Sequence, residues 1–149
     1  MVNTLTPYLL AQKLLPILGP AGRVINVSSA AQAPVNLDAL AGNSRLEDME
    51  AYAQSKLAIT MWSYAMAKKH PDGPTVIAVN PGSLLASKMV HEGFGVAGND
   101  LSIGADILTR AALSDEFSGA GGKYFDNDIG QFAPPHADAL DDAKNQCVV

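Results

Sequence analysis

The sequence predicts an α/β fold in which helices cover both faces of a short parallel sheet, so that the chain forms three layers. Three short runs rich in β-branched or aromatic residues, at 23–28, 75–80 and 123–126, alternate with longer segments of helical character. Strands joined by helices of this length form right-handed crossovers, which require parallel strands. The 149 residues suit one domain, because neither an internal repeat nor a linker divides them.

Start and stop residues mark the helix boundaries. Thr6 followed by Pro7 is typical of a helix start, and leucines recur at helical spacing until Gly19 ends a helix at 6–18. A long helix is expected at 47–69, with lysines at its end that complement the helix dipole. Further helices are expected at 102–114 and 137–146, and irregular structure at 32–48 and 83–100.

The number of strands is small for a fold of this kind. The run at 23–28 is almost continuously apolar, which suits a strand of a parallel sheet that is covered on both faces. With about three strands in all, this strand would keep an open apolar edge, which favours pairing with another chain. We therefore expect a truncated version of a larger sheet, flanked by helices and prone to self-association.

Composition excludes several classes of partner. The formal net charge is −5 and no basic cluster occurs, which argues against nucleic-acid binding. The single cysteine, Cys147, cannot form an internal disulfide, so we expect a cytoplasmic protein. His70, His91 and His136 lack the spacing of metal ligands. No apolar run reaches the roughly 18–20 residues of a membrane span, so no membrane partner is expected.

Tyr52 and Lys56 form a YxxxK pair, one turn apart on one face of the long helix. An ammonium beside a phenol favours the phenolate, which a general acid/base for carbonyl and alcohol chemistry requires. A second pair, Tyr64 and Lys68, is rotated by about 120° from the first, so the two pairs cannot face one site. We interpret the second pair as packing and dipole complement. A surface tyrosine with a solvated lysine is the alternative for the first pair.

Two strand ends carry residues suited to a ligand site. Ser28 and Ser29 end the first strand, and Asn80, Pro81 and Gly82 end the second. The carboxyl ends of parallel strands open on one rim, where ligands bind in open α/β sheets. A serine there can donate a hydrogen bond to a developing alkoxide. The alternatives are an ordinary cap serine and a strand-terminating turn.

Together these motifs resemble those of the short-chain dehydrogenase/reductase family. The resemblance runs from Val2-Asn3 through NVSSA, YAQSK and NPG to GKYFD, and the loop lengths and GKYFD resemble the retinol-dehydrogenase-like branch. It implies a Rossmann-like fold, with residues 1–149 forming its C-terminal, catalytic half. It also implies an NAD- or NADP-dependent oxidoreductase that interconverts a small-molecule alcohol and carbonyl.

The resemblance also implies roles for individual residues. Tyr52 would donate and accept the proton, and Lys56 would assist it and contact the nicotinamide ribose. Ser29 would orient the substrate oxygen, and Asn3 would support a proton-relay water. The cofactor-binding residues that it implies are Tyr52, Lys56, Pro81, Gly82 and Ser87, the last one position later than usual in the family.

The sequence lacks the glycine-rich strand–turn–helix fingerprint that holds a cofactor's phosphates. The segment at 118–123 is glycine-rich, but it precedes a strand. We therefore expect this chain to be inactive on its own. The alternative is a non-enzymatic truncated paralogue that acts as a self-associating interaction module. Helices 6–18 and 47–69 are the pair that family members bury in a dimer interface, and we expect a homo-oligomer through them.

Overall fold

A four-stranded sheet forms the centre of the protein, in a computed structural model that describes residues 2–149. Its strands are β1 (Arg23–Val27), β2 (Thr75–Asn80), β3 (Tyr124–Asp126) and β4 (Gln131–Ala133), in that order. The pairs β1–β2 and β2–β3 are parallel, whereas β4 is antiparallel to β3. The structure confirms the predicted α/β class and its parallel strands. It adds β4, a three-residue strand too short to show a hydrophobic pattern in the sequence.

Six α-helices surround the sheet within the described residues. They are α1 (Leu5–Leu18), α2 (Leu37–Leu40), α3 (Asp48–Lys69), α4 (Lys88–Phe94), α5 (Leu101–Leu113) and α6 (Asp142–Val148). The helices predicted at 6–18, 47–69 and 102–114 therefore lie within one residue of their observed bounds. No helix among residues 2–149 combines the length and hydrophobicity needed to cross a bilayer.

Four local predictions differ from the structure. Thr6 does not cap α1, which begins at Leu5; Pro7 is nevertheless tolerated, because first-turn N–H groups have no partner within the helix. The segment predicted as one helix at 137–146 divides into a 3-10 turn, Ala137–Leu140, and α6. The regions expected to be irregular contain the short helices α2 and α4. Side chains of Asn36 and Ser87 cap these two helices.

Hydrophobic clusters fill both faces of the sheet. Ile77 and Val79 of β2 pack with Ile107 of α5 and with Phe117 and Phe125 on one face. Alternate residues of a strand point to opposite faces, and Val76 packs on the other face with residues of α1 and α3. The predicted three-layer arrangement is therefore present, with α5 on one side of the sheet and α1 and α3 on the other.

The outer helices differ in how much of their surface the chain itself covers. α3 is buried on two sides, since Ile59 and Trp62 pack with α1, whereas Leu57 and Met61 pack against the 3-10 turn and α6. In contrast, α1 buries only Ala11 and exposes several large apolar side chains: Leu9, Leu10, Leu14 and Ile17. Within residues 2–149, β1 pairs with β2 alone and so lies at the edge of the sheet.

Candidate active site

The carboxyl ends of β1 and β2 open into a cleft of about 380 Å³. Six of the seven sequence-predicted site residues line it: Ser29, Tyr52, Lys56, Pro81, Gly82 and Ser87. Parallel strands place their carboxyl ends on one rim, and the amino-terminal half of α3 passes over that rim. The fold therefore brings together residues that lie up to 58 positions apart in the sequence.

Asn3 is the predicted residue that does not line the cleft. It lies just before α1, and its Nδ2 is 3.5 Å from the hydroxyl of Ser55. Ser55 in turn donates a hydrogen bond to the Tyr52 carbonyl at 2.7 Å. Asn3 is thus close to the helix that bears the tyrosine, but it lies outside the cleft.

The Tyr52–Lys56 pair lies on the face of α3 that meets the end of β1. The Lys56 ammonium is 5.5 Å from the centre of the Tyr52 ring and donates a hydrogen bond to the Val27 carbonyl at 2.7 Å. Burial lowers the pKa of the Lys56 side chain. The strand end therefore fixes a cation beside the phenol.

The two serines at the end of β1 make different contacts. Ser28 is almost fully buried, and its hydroxyl lies 3.1 Å from the Lys56 carbonyl and 2.8 Å from the Thr60 hydroxyl. The Ser29 hydroxyl accepts a hydrogen bond from the Ala31 N–H at 3.1 Å, which leaves its own proton free for donation. Ser29 is consequently the serine that can serve a ligand in the cleft.

The loop after β2 contributes both polar groups and apolar side chains to the cleft. Gly82 has a φ of 129°, a value that side chains rarely allow, and its N–H donates to the Asn80 side-chain oxygen at 3.2 Å. Ser87 lies further along and caps α4 by accepting from the Val90 N–H at 3.4 Å. The Ser87 hydroxyl thus has a role in helix capping at the margin of the cleft.

Sequence analysis overlooked the residues after β3, which hold this loop. Asn80 is 1% exposed, and its amide donates to Asp126 at 2.8 Å and to Asp128 at 2.9 Å. Asn127 donates to the Pro81 carbonyl at 2.9 Å. β3 is parallel to β2, so the strand-end rule that pointed to Ser29 and Asn80 points equally to these three residues.

The remaining wall of the cleft is apolar. Five of its large side chains keep between 44% and 53% of their surface exposed, although they gather around one cavity. They are Met49, Leu84, Met89, Phe94 and Leu101. Of the described residues that line the cleft, only Lys56 is charged. The cleft therefore combines a polar edge that can exchange protons with an apolar wall.

The second YxxxK pair lies at the far end of α3. The Lys68 ammonium is 6.0 Å from the Tyr64 ring centre and forms an exposed ion pair with Asp142 of α6, 2.6 Å apart. Lys68 also borders a larger cleft of about 470 Å³ between α1, α3 and α6, which holds none of the predicted site residues. Among the residues described, no group of three or more His, Cys, Asp or Glu side chains could hold a metal ion.

Comparison of sequences identifies relatives that are named as dehydrogenases. Human retinol dehydrogenase 13 is 31% identical over 89% of this chain and 46% of its own length. The dehydrogenase/reductase family member FEY of Arabidopsis thaliana is 35% identical over 58% of the chain and 25% of its own length. The chloroplastic short-chain dehydrogenase TIC 32 B of Brassica napus is 29% identical, with 72% and 39% covered. No family model matches the chain.

Solved structures share the fold. The oxidoreductase YciK of Escherichia coli superposes with a TM-score of 0.63 at 26% identity, over 85% of this chain and 49% of its own. An uncharacterised Mycobacterium paratuberculosis protein has a TM-score of 0.73 at 24% identity, with 98% and 53% covered. Carbonyl reductase Sniffer of Drosophila melanogaster has a TM-score of 0.59 at 23% identity, with 87% and 53% covered.

The chain spans less than half of the length of the curated relatives it matches and about half of these solved structures. Two of these relatives are named as members of the short-chain dehydrogenase/reductase family and the third as a retinol dehydrogenase, and the three-layer fold agrees with these names. By sequence and by fold, the chain belongs to the short-chain dehydrogenase/reductase family.

Proposed function

We propose that residues 1–149 form one domain that supplies proton transfer and substrate binding for an NAD(P)-dependent oxidoreductase of alcohols and carbonyls. This domain would correspond to the C-terminal, catalytic half of a family member. One observation carries the proposal: Ser29, Tyr52 and Lys56 line a single cleft at the carboxyl ends of parallel strands. The oxidoreductase activity is inferred from relatives that this chain matches over about half of their length or less.

Three side chains share the proton chemistry in this proposal. The Tyr52 phenol gives a proton to the carbonyl oxygen, or takes one from the alcohol. Lys56 stabilises negative charge on the phenol oxygen, and for two charges about 5 Å apart this is worth roughly 0.8–3 kcal/mol between fully aqueous and protein-like dielectric. Ser29 donates its free proton to the substrate oxygen as charge develops there.

The residues present fit one end of the cofactor. Lys56 and the Pro81–Gly82 turn lie where they could hold the nicotinamide and its ribose, in the same cleft as Ser29. NAD(P), when bound, supplies or accepts the hydride. Within residues 2–149, however, no glycine-rich turn joins a strand to the start of a helix, and the glycine-rich segment 118–123 precedes β3. This domain thus lacks a cradle for the cofactor's phosphates.

The walls of the cleft define the class of substrate. Large apolar side chains form one wall, and Lys56 at the polar edge is the one charged group among the described lining residues. Because Lys56 already serves Tyr52 in this proposal, a charged group on the substrate would have no counter-ion in the cleft. We infer an uncharged alcohol or carbonyl on a bulky apolar body. Retinol, for which one relative is named, has that chemistry.

The two YxxxK pairs provide a matched test of the proposal. Alcohol oxidation is measured with the chain itself, or with the chain co-expressed with a glycine-rich nucleotide-binding segment, whichever turns over substrate. Tyr52→Phe should lower kcat by roughly 100-fold to 10,000-fold, since the ring remains but the proton donor is lost. Lys56→Met should lower kcat by roughly 4-fold to 150-fold through the loss of its attraction to the phenolate alone.

Tyr64→Phe and Lys68→Met are the controls, because they alter the same residue types on the same helix. Lys68 forms an exposed ion pair, which typically contributes about 0–1 kcal/mol to stability. Both controls should retain near-normal turnover. Inactivation by Tyr64→Phe together with tolerance of Tyr52→Phe would show that the active site lies elsewhere.

A second candidate function is a self-associating interaction module without enzyme activity. The exposed apolar face of α1 and the open edge of β1 favour it. α3, in contrast, is largely covered by α1 and α6. Self-association would therefore use α1 and β1 more than α3. Failure of every co-expressed form to oxidise alcohols, combined with a stable dimer of the chain, would favour this candidate.

A further inference from the structure

The loop from Pro81 to Ala86 forms part of the apolar wall and contains an unfavourable backbone conformation. Leu84 has a φ of 51°, the one positive value at a non-glycine position among the described residues. A Cβ atom makes this left-handed region unfavourable, so surrounding contacts must hold it. Leu84 and Leu85 both line the cleft. The shape of the wall therefore depends on whatever holds this loop.

Asn99 holds one side of the loop through its backbone and its side chain. Its N–H donates to the Leu84 carbonyl at 2.7 Å, and its carbonyl accepts from the Ala86 N–H at 2.7 Å. Its side-chain amide donates to the Ser83 carbonyl at 3.1 Å. These bonds fix Leu84 from the direction of α5, but they leave the Ser83 N–H and hydroxyl to another partner.

Asp128 is that partner. One carboxylate oxygen accepts from the Ser83 N–H at 2.7 Å, and the other accepts from the Ser83 hydroxyl at 2.5 Å and from the Asn80 amide at 2.9 Å. Partial burial would raise the pKa of the Asp128 carboxyl, but the hydrogen bonds from Ser83 and Asn80 outweigh it and lower that pKa. Asp128 thus stays ionised and joins β2 and the loop to the turn after β3.

We propose that Asp128 is a positioning residue: it clamps Ser83 and Asn80, and thereby keeps Leu84 in the conformation that shapes the substrate cleft. The role in substrate binding rests on the proposed function, whereas the clamp itself does not. Asp128 does not line the cleft and acts through the loop. The clamp predicts that loss of the carboxylate loosens a bond that Asp128 does not touch, the one between the Asn99 N–H and Leu84.

Hydrogen exchange measured by NMR on the whole chain tests the clamp. In Asp128→Ala, the amides of Ser83 and Asn99 should both exchange about tenfold faster, the effect of losing one ordinary hydrogen bond. Asp128→Asn should have a smaller effect, because its amide oxygen can still accept from the Ser83 N–H. Asp106→Asn makes the same chemical change at an exposed position of α5 and should change neither amide.

The affinity for a probe tests the consequence for the cleft. Cyclohexylmethanol has an apolar body and one hydroxyl, and glycerol is the polar control. Asp128→Ala should weaken binding of cyclohexylmethanol by about fivefold, with Asp128→Asn in between. Val76→Ala, which opens a cavity at the other end of β2, lowers overall stability and should leave the affinity unchanged.

The outcomes separate the clamp from the proposed function. Faster exchange at Ser83 alone, with Asn99 unchanged, overturns the clamp. Faster exchange at both amides with unchanged probe affinity reduces Asp128 to a role in stability and overturns its positioning role. A wild-type chain that does not bind cyclohexylmethanol contradicts the apolar substrate class, and the Asn99 exchange rate still decides the clamp.

Discussion

The two adjacent serines after β1 should respond to the same substitution in opposite ways. The Ser28 hydroxyl is buried between the Lys56 carbonyl and the Thr60 hydroxyl, so both of its hydrogen-bonding functions are used within the fold. The Ser29 hydroxyl is half-buried on the cleft and accepts one bond from the Ala31 N–H. Alanine at position 28 should therefore affect stability, and alanine at position 29 should affect the reaction.

The hydrogen bonds of each serine determine how much stability or turnover its substitution should cost. Ser28→Ala should lower the free energy of unfolding by about 1–2 kcal/mol, because it removes two hydrogen bonds at a buried site, although the Thr60 hydroxyl can still donate to the Lys56 carbonyl. Ser29→Ala should lower it by less than about 1 kcal/mol, since one partly exposed N–H can bond to water instead. Ser29→Ala should also lower turnover by roughly 100-fold to 1,000-fold, the usual loss for one hydrogen-bond donor to a developing oxyanion.

Urea unfolding of the chain gives the stability of each variant, and turnover is measured in whichever form oxidises alcohols. Ser28→Ala should remain active at temperatures where it is folded, whereas Ser29→Ala should be folded and slow. Inactivation by Ser28→Ala at unchanged stability, with an active Ser29→Ala, would refute the assignment of the two hydroxyls.

Three further predictions concern cofactor affinity, self-association and the pH dependence of stability. Without a phosphate cradle in residues 2–149, the isolated chain should bind NAD(P)H no tighter than the millimolar range, about −4 kcal/mol, and micromolar affinity by calorimetry would contradict this. At micromolar concentration the chain should sediment as a dimer or larger species, and Ile17→Lys on the exposed face of α1 should shift it to a monomer; a wild-type monomer would exclude self-association. The pKa of Asp128 is lower in the folded chain, so its carboxylate stabilises the fold above about pH 4 and loses that effect as the pH falls through the folded-state value. Asp128→Asn should consequently reduce the fall in the free energy of unfolding at acid pH, measured by urea unfolding. An unchanged fall would show that the carboxylate does not stabilise the fold.

The sequence was sufficient to predict the elements that have strong local patterns. β2, at Thr75–Asn80, was predicted at its observed bounds because four consecutive apolar residues, from Val76 to Val79, precede Asn80 and Pro81. β4 was missed because three residues carry no pattern, and its pairing with β3 depends on the hairpin that joins them. The start of α1 was misplaced because Pro7 suits the third helical residue as well as the first.

The cleft likewise combines residues that a local sequence pattern predicts with contacts that depend on the fold. The strand-end rule predicted the Ser28–Ser29 pair and the Pro81–Gly82 turn, since both lie at strand ends, and the family resemblance selected Ser29. The contact between Asn99 and Leu84 could not be predicted, because nothing local marks two loop positions 15 residues apart as partners. Asp128 lies between these cases: it closely follows β3, but its role appears only when β3 is placed beside β2.

Successive strands contribute different parts of the candidate site. β1 ends in the serine that can bind the substrate oxygen, β2 leads into the loop of the apolar wall, and β3 leads to the carboxylate that holds this loop. The proton-transfer pair comes from α3 and contacts β1 through Lys56 and Val27. Within the described chain, the loop's bonds run to Asn80 at the end of β2, to the turn after β3 and to Asn99. Asp128→Ala should accordingly change which alcohols bind and leave proton transfer intact, because the Asp128 carboxylate bonds to Ser83 and Asn80. Tyr124 of β3, in contrast, donates a hydrogen bond to the Ser29 carbonyl at 3.1 Å and supports the proton-transfer side of the cleft.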